Sequence, residues 1–478
     1  MDRRIIRALV AGILFLVNSA SAQNLNDINA GIQFDFSLPG ARSLAMGGAF
    51  VALADDATAA YSNPAGLLVL NRPEFSLEGR GWGFQNFTAD VGHVFGAPSN
   101  IGVDTVAGLI DRGFDTDAAG LSFLSFVYPS ERWSLGVFRH ELSRFNTSRE
   151  FQGPFFSCAG GYRDDDPPRA PFCGEEVRGD GVDRIFPSRQ NIAVDITSVG
   201  TSFAFKVSDS LSVGVSALYY DFTMDARNSV FAARRENRFT EADFTYPDNL
   251  ELESTQSGKD HAFAANAGVL FRPSPNLTIG AAYRQGPEFQ FELRSVFGNS
   301  HPAVLDGRET PGNAFAWEAA NPFKVPDTYA VGVALNPTQT MTLSFEYDRV
   351  QFSQLTRDLR DAARSSVEES AVVMDRIEQG DANQIRAGFE YLKLFRERIL
   401  ALQAGFWYDP DHRVRFAADD PTTGYPAPRW ALLFQEGSDQ YHFTTGVGFV
   451  FSEHLQIDAA FDWSEFLQTL SLSTVLMF

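Results

Sequence analysis

The chain has 478 residues and a formal charge of −21, with 39 Lys and Arg against 60 Asp and Glu. That balance excludes nucleic-acid binding, which needs a basic footprint, and electrostatic capture by anionic lipid. The chain carries 44 Phe, 13 Tyr and 6 Trp, yet past its first residues no run approaches twenty apolar positions, so no transmembrane helix is expected.

Arg3, Arg4 and Arg7 precede an apolar run from Ala8 to Val17, and Ala20-Ser21-Ala22 supplies small residues of the A-x-A type. The pattern predicts a secretory signal peptide over residues 1–22, too short for a stable membrane anchor. Removing those residues, which hold three Arg and one Asp, takes the charge to −23. Residues 23–72 do not alternate and are rich in small side chains. Gly47-Gly48, Asp55-Asp56 and Asn63-Pro64-Ala65 stand out within them. Cys158 and Cys173 lie fifteen positions apart in a Pro/Gly/Asp-rich stretch. In an exported chain they predict a loop disulfide, the alternative being two free thiols.

Farther along, apolar residues recur at every second position. Leu211-Ser-Val213-Gly-Val215-Ser-Ala217, Tyr329-Ala-Val331-Gly-Val333, Met341-Thr-Leu343-Ser-Phe345 and Leu455-Gln-Ile457-Asp-Ala459 all show it. This is strand periodicity with one apolar face. Several stretches run ten residues or more, the length needed to cross a bilayer rather than a globular core. Aromatics near strand ends (Tyr219, Tyr220, Tyr283, Tyr347, Trp407, Tyr408, Trp463) suit interfacial girdles.

Short turns near 208–210, 273–276, 336–339, 395–398 and 452–454 alternate with long polar connections near 153–188, 229–256, 298–322, 353–382 and 410–437. Short turns on one side and long loops on the other are the outer-membrane pattern. Fourteen strands are expected, near 73–84, 120–129, 132–152, 189–207, 210–228, 257–272, 276–297, 324–336, 340–352, 383–395, 398–409, 438–452, 454–464 and 467–478, with a long outer loop over 85–119. An even count puts both barrel ends on the periplasmic side. Within 353–380, Leu355, Leu359, Ala362 and Ala363 recur at helical spacing and predict short amphipathic helices over the mouth.

The predicted fold is all-β: a 14-stranded antiparallel transmembrane β-barrel over 73–478, with an N-terminal hatch over 23–72 plugging its lumen. The argument for the plug is spatial, since inward side chains alone do not fill a barrel of this size.

These residues resemble a known family. "AGIQFDFSLPGARSLAMGGAFVALADDATAAYSNPAGL" (Ala30 to Leu67) is similar to the N-terminal hatch of the FadL/TodX outer-membrane transporters of long-chain fatty acids and aromatic hydrocarbons. "VPDTYAVGVALNPTQTMTLSFEYDRVQFS" (Val325 to Ser353) resembles the family's middle hairpin, and the terminal Phe478 the signal read by the barrel-assembly machinery. The resemblance implies an outer-membrane monomer that passes a hydrophobic small molecule or fatty acid from extracellular loops to an apolar pocket. A hatch movement and a kinked third strand then release it sideways into lipid below the lipopolysaccharide. It assigns gating to Asn63, Pro64, Ala65, Gly47, Gly48, Asp55 and Asp56, with Asn63-Pro64-Ala65 nearest the third strand. Glu141, Leu142, Ser143 and Arg144 are the candidates for the kink, a stretch without glycine. Related barrels with similar openings serve as scaffolds or adaptors in protein secretion, which is the alternative reading.

No enzyme site, metal site or cofactor is expected. The seven His, His93 to His454, show neither metal-ligand spacing nor a nucleophile elbow, and Asp164-Asp165-Asp166 reads as a solvated acidic loop.

Overall fold

A strand in hydrocarbon has no water to satisfy its N–H and C=O groups, so a sheet can cross a bilayer only by closing on itself. The computed structural model describes residues 36–93, 98, 100, 105–157, 182–184, 187–231, 240–246, 249–297, 303–305, 308–310, 315–357, 377–395, 398–416 and 437–478. The signal peptide, residues 23–35, Cys158, Cys173, Asp164–Asp166 and most of the 353–380 stretch lie outside the described residues; of the last, 353–357 are helical.

Fourteen long strands form the wall. They are β1 Glu74–His93, β2 Gly108–Pro129, β3 Trp133–Phe151, β4 Ser188–Lys206, β5 Leu211–Phe231, β6 Leu250–Ser274, and β7 in two pieces, Leu277–Arg284 and Glu288–Phe297. Then come β8, also in two pieces (Phe315–Lys324 and Thr328–Thr338), β9 Met341–Val350, β10 Ala382–Phe395, β11 Arg398–Asp409, β12 Gln440–Ser452, β13 Leu455–Trp463 and β14 Leu467–Met477. Each pairs antiparallel with the next. β14 returns to β1 from Glu74↔Met477 to Phe84↔Leu467, which closes the barrel. No helix among the described residues is long and apolar enough to cross a membrane.

Several strands reach farther than the sequence pattern predicts. The expected outer loop over 85–119 is mostly strand: β1 runs to His93 and β2 starts at Gly108. β6 starts at Leu250 instead of 257, and β8 at Phe315 instead of 324. The three outward glycines of β1, Gly79, Gly81 and Gly83, lie in the part that the sequence pattern already places in a strand. The upper ends of the others stand clear of lipid and need no apolar outer face.

The wall inverts its polarity partway up. On β5 the outward residues are Val213, Val215, Ala217 and Tyr219, followed by Asp221, Thr223, Asp225 and Arg227. Its inward residues run the other way, from Gly214 and Ser216 to Leu218, Tyr220, Phe222, Met224 and Ala226. β7 repeats this, with Ile279 and Tyr283 outside below, Glu288, Gln290 and Glu292 outside above, and Phe289, Phe291 and Leu293 inside above. The outer change marks where lipid gives way to water. Tyr219 packs against Phe263 with centroids 5.3 Å apart, and Tyr283 against Tyr329 at 4.9 Å, along that line. Phe263 is 80% exposed, a position only a lipid interface makes favourable. Tyr220 and Trp407, expected in the girdle, face the lumen instead and are buried. Single-sequence alternation does not tell which neighbour of an aromatic pair faces out.

At the same height β7 and β8 break together. Pro287 and Pro326 have no N–H to give the ladder. Asp327 stitches the break, accepting from Gly286 N at 2.8 Å, Lys324 Nζ at 3.0 Å and Tyr283 Oη at 2.9 Å.

Residues 36–70 lie inside the lumen as two short helices, α1 Ala41–Ala45 and α2 Ala59–Ser62, and a 3₁₀ turn, Pro64–Val69. Their backbone presses on the wall where the wall has no side chains. A Cβ on Gly388 or Gly405 would run into the backbone of Met46 and Gly47, and one on Gly214 or Gly268 into Asn63-Pro64-Ala65. A Gly388→Val/Gly405→Val chain is therefore expected to insert as a barrel but leave the plug unseated. Its single-channel conductance in planar bilayers should rise well above that of the parent; an unchanged conductance would show that the plug does not rest on this seat.

Candidate functional site

Two short helices and a 3₁₀ turn leave many backbone groups without intrahelical partners. The wall supplies those partners. Gly40 N donates to Glu78 Oε2 at 3.0 Å, Ala41 N to Ser473 Oγ at 3.1 Å and Val51 N to Glu346 Oε2 at 2.7 Å. In the other direction Thr444 Oγ1 donates to Ala45 O at 2.8 Å, Arg386 Nη1 to Gly47 O at 3.3 Å, Arg284 Nη1 to Ser62 O at 3.0 Å and Ser125 Oγ to Ala57 O at 2.9 Å.

The plug residues singled out in sequence take distinct places. Gly47 (φ 66°) and Gly48 (φ 75°) are left-handed and back directly onto the wall and the Arg386 guanidinium, so a side chain is excluded twice over. Asp55 pairs with Arg42, which also makes two bonds to Glu390, at 2.7 and 2.9 Å. Burial alone would lower the Arg42 pKa, but Asp55 and Glu390 outweigh it and hold the guanidinium well above its usual range. Asp56 accepts from Thr58 N at 2.8 Å, and burial together with Asp55 pushes its carboxyl up. Asn63 accepts from Ala65 N to start the 3₁₀ turn, with Pro64 at its first position, and donates to Val51 O and to Val269 O of β6. Asn63 and Pro64 thus sit against β5 and β6. Contact with the third strand comes from Tyr61, which stacks on His140 at 4.0 Å, and from Ala60 and Leu67 beside Gly136.

Above the plug the lumen has two unlike walls. From β3 to β8 it is apolar: Phe145, Ile192, Val194, Ile196, Phe222, Met224, Phe289, Phe291, Leu293 and Phe323 join the plug's Ala57, Ala60, Tyr61 and Leu67 in one buried cluster. Phe222 stacks on Phe289 at 4.7 Å and on Phe323 at 5.4 Å. One rung higher the inward positions turn polar, with Arg149, Gln190, Asn228, Ser254 and Ser295 in register. The opposite wall is charged. Arg386 bonds Asp348, lies 4.5 Å over the Trp407 ring, and Trp407 Nε1 donates to Asp462 at 3.1 Å while stacking on His442 at 3.6 Å. Sequence reading missed the apolar wall; the signal was the exchange of faces along β5 and β7, visible once the alternation is followed past Tyr219 and Tyr283.

The third strand departs from the rest of the ladder. β2 and β3 pair only from Pro129↔Ser134 up to Phe123↔His140. Beyond that β2 pairs with β1 alone, and β3 with β4 alone. The β3–β4 register shifts between Glu141 and Ser143, so Leu142 is a bulge residue and turns inward with Ser143. Glu141, Leu142, Ser143 and Arg144 therefore flank the unpaired part of the seam. Behind it Trp82 of β1 and Phe145 stack at 6.5 Å. No cluster of three metal-capable side chains occurs among the described residues.

Comparison with known proteins gives a consistent picture. A family model described as outer membrane protein transport protein (OMPP1/FadL/TodX) matches residues 188–469. The fold is similar to that of a Pseudomonas aeruginosa FadL homologue, at 13% identity and a TM-score of 0.56 over 94% of this chain and 99% of the other. It is also similar to the CymD monoaromatic hydrocarbon channel (13%, 0.53, 93% and 99%) and to the Ralstonia pickettii toluene transporter TbuX (14%, 0.53, 93% and 99%). No curated protein sequence matches the chain.

Removal of a buried ion-pair partner costs about 3–5 kcal/mol because the remaining charge is stranded. Arg386→Ala leaves Asp348, among the described residues, only the long contact to Arg284 Nη2 at 4.0 Å and strips a donor from Gly47. It is expected to lower by several degrees the temperature at which the folded band converts to the unfolded one on a gel; an unchanged midpoint would mean that other groups hold Asp348 and the plug.

Proposed function

The chain belongs to the OMPP1/FadL/TodX family of outer-membrane transport proteins, and on that premise we propose that it passes hydrophobic compounds, long-chain fatty acids or hydrocarbons, inward without an energy-coupling partner. Cargo is gathered among the extracellular loops and enters the chamber lined by Phe222, Met224, Phe289 and Phe323. Residues 23–72 act as the hatch, and cargo leaves sideways between β2 and β3 into lipid when the hatch shifts.

The observation that carries this reading is the polarity inversion. Apolar residues line the inside of a wall segment whose outside carries Asp, Glu and Arg. Such a segment stands above the hydrocarbon, so its inner face meets no lipid; an apolar solute is what it favours. The polar rung above, with Arg149 facing inward, suits cargo whose one end is polar. Lateral exit is supported by the lapse of β2–β3 pairing beside this chamber, and by Tyr61, through which the hatch touches the last paired residue, His140. The hydrocarbon channels and toluene transporter of similar fold are consistent with a cargo of this class.

A charge in the chamber disfavours apolar cargo by several kcal/mol. Met224→Asp is expected to abolish retention of apolar guests in native mass spectrometry and to cut uptake of radiolabelled toluene or palmitate, while folding as a heat-modifiable barrel. A folded variant that keeps guest and uptake would remove the chamber from the path.

A further inference from the structure

Beyond Phe123↔His140 the seam between β2 and β3 is unpaired, yet its carbonyls are not bare. Arg139 Nη1 donates to Leu121 O at 2.6 Å, and Arg144 Nη1 donates to Ala119 O at 3.2 Å. Both acceptors are on β2, on the edge that β3 has left. Both donors are on the outer face of β3. Glu141 lies between them, 2.5 Å from Arg144 Nη2 and 3.5 Å from Arg139 Nη2, and Asp195 of β4 stands 3.7 Å from Arg144 Nε.

We propose that Arg139 and Arg144, held together by Glu141, form a polar latch that closes the β2–β3 seam from the lipid side and must swing away before cargo can leave. The proposal rests on the lateral-exit reading above and gives that exit its gate. Three observations support it. A gap in the ladder at the lipid boundary leaves carbonyls without strand partners, and guanidinium N–H groups on a flexible stem are donors able to reach across. The outward positions of β3 below the seam are Trp133, Leu135 and Val137, so two arginines and a glutamate follow directly on the lipid-facing band. Charge there is expensive unless it is paired and used. Third, the strand facing the latch makes room for it, since a Cβ on Gly120 would collide with the Arg144 guanidinium. The glycine that Glu141–Arg144 lacks stands on the neighbouring strand.

A side-chain closure differs from a ladder closure in one physical respect. Backbone pairs open only if strands part, whereas two guanidiniums leave by rotation about their own stems. Above the seam the upper part of β2 is already exposed on both faces, at Ile110, Arg112 and Gly113. Trp82 and Phe145 close the gap from the lumen side. The exit is thus double-doored, with an aromatic pair that apolar cargo can displace from within and an ionic pair that meets the lipid interface.

The test uses cells displaying the full-length chain and influx of the fluorescent apolar probe N-phenyl-1-naphthylamine. Arg139→Met/Arg144→Met keeps the apolar stems and removes the donors. Its influx is expected to rise at least about tenfold, the factor that corresponds to about 1.4 kcal/mol of lost gating interaction. Gly120→Ala, which displaces Arg144 alone, should raise it less, and Arg139→Lys/Arg144→Lys, which retains donors, should return it toward the parent rate. In a separate Leu121→Cys/Arg139→Cys chain, influx should be raised before and blocked after bridging with a short bismaleimide, with the parent chain treated alongside. Barrel integrity is read in each case from heat-modifiable migration. Block by the bridge with no rise in the Met variant overturns the latch and leaves lateral exit standing. No block by the bridge overturns the exit itself, and the latch with it.

Discussion

Inside a bilayer no strand can leave its N–H and C=O groups unmet, and the architecture of this chain follows from how that demand is answered. Fourteen strands close on one another, from β1 round to the β14–β1 ladder, and closure at this width creates a lumen that strand side chains do not fill. The plug fills it, but the plug has the same demand at smaller scale. Its helices are four and five residues long, too short to satisfy their own backbones, so Glu78, Ser125, Arg284, Glu346, Arg386, Thr444 and Ser473 of the wall complete them. Plug and wall are one hydrogen-bonded system. A movement of the plug therefore has to exchange those bonds, not simply break apolar contact.

Two boundaries coincide on this wall. Outside, lipid gives way to water near Tyr219, Tyr283 and Tyr329. Inside, the polar seat of the plug gives way to the aromatic cluster at the same rungs. One strand serves both because its two faces are independent sets of alternate residues. The paired break at Pro287 and Pro326, clamped by Asp327, sits at this level and gives β7 and β8 a joint between their lower and upper halves.

The seam between β2 and β3 is one place where closure by the ladder lapses; the β6–β7 ladder also stops, between Asn266↔Arg284 and Ser257↔Glu292. In the β2–β3 seam the lower rungs are ordinary pairs and the upper part is bridged by arginine side chains. Along the paired ladders, opening the wall would mean parting strands. Here the hydrogen bonds that hold the wall belong to groups that rotate. The contact of Tyr61 with His140 sets the plug against the last rung of the true ladder, so plug and seam adjoin there.

How much of this is written in the chain itself depends on the range of the interaction. Alternation of apolar residues along β5, β8, β9 and β13 is local, because a strand exposed to lipid on one face must repeat every second position. It announced the barrel, the strand count and the shorter turns. The small residues of 36–70, with Gly47, Gly48 and Asn63, announced a segment that packs backbone to backbone. The extension of β1 from residue 85 to His93 is not legible in the alternation, although Gly79, Gly81 and Gly83 below it fall in the stretch that is. What only the tertiary structure decided is which residues from distant strands share a rung: Phe222 with Phe289 and Phe323, Arg386 with Asp348 and Gly47, Arg144 with Gly120 and Ala119. Those meetings are fixed by register and by the closure of the sheet, and both are properties of pairs of strands that no single strand's pattern contains.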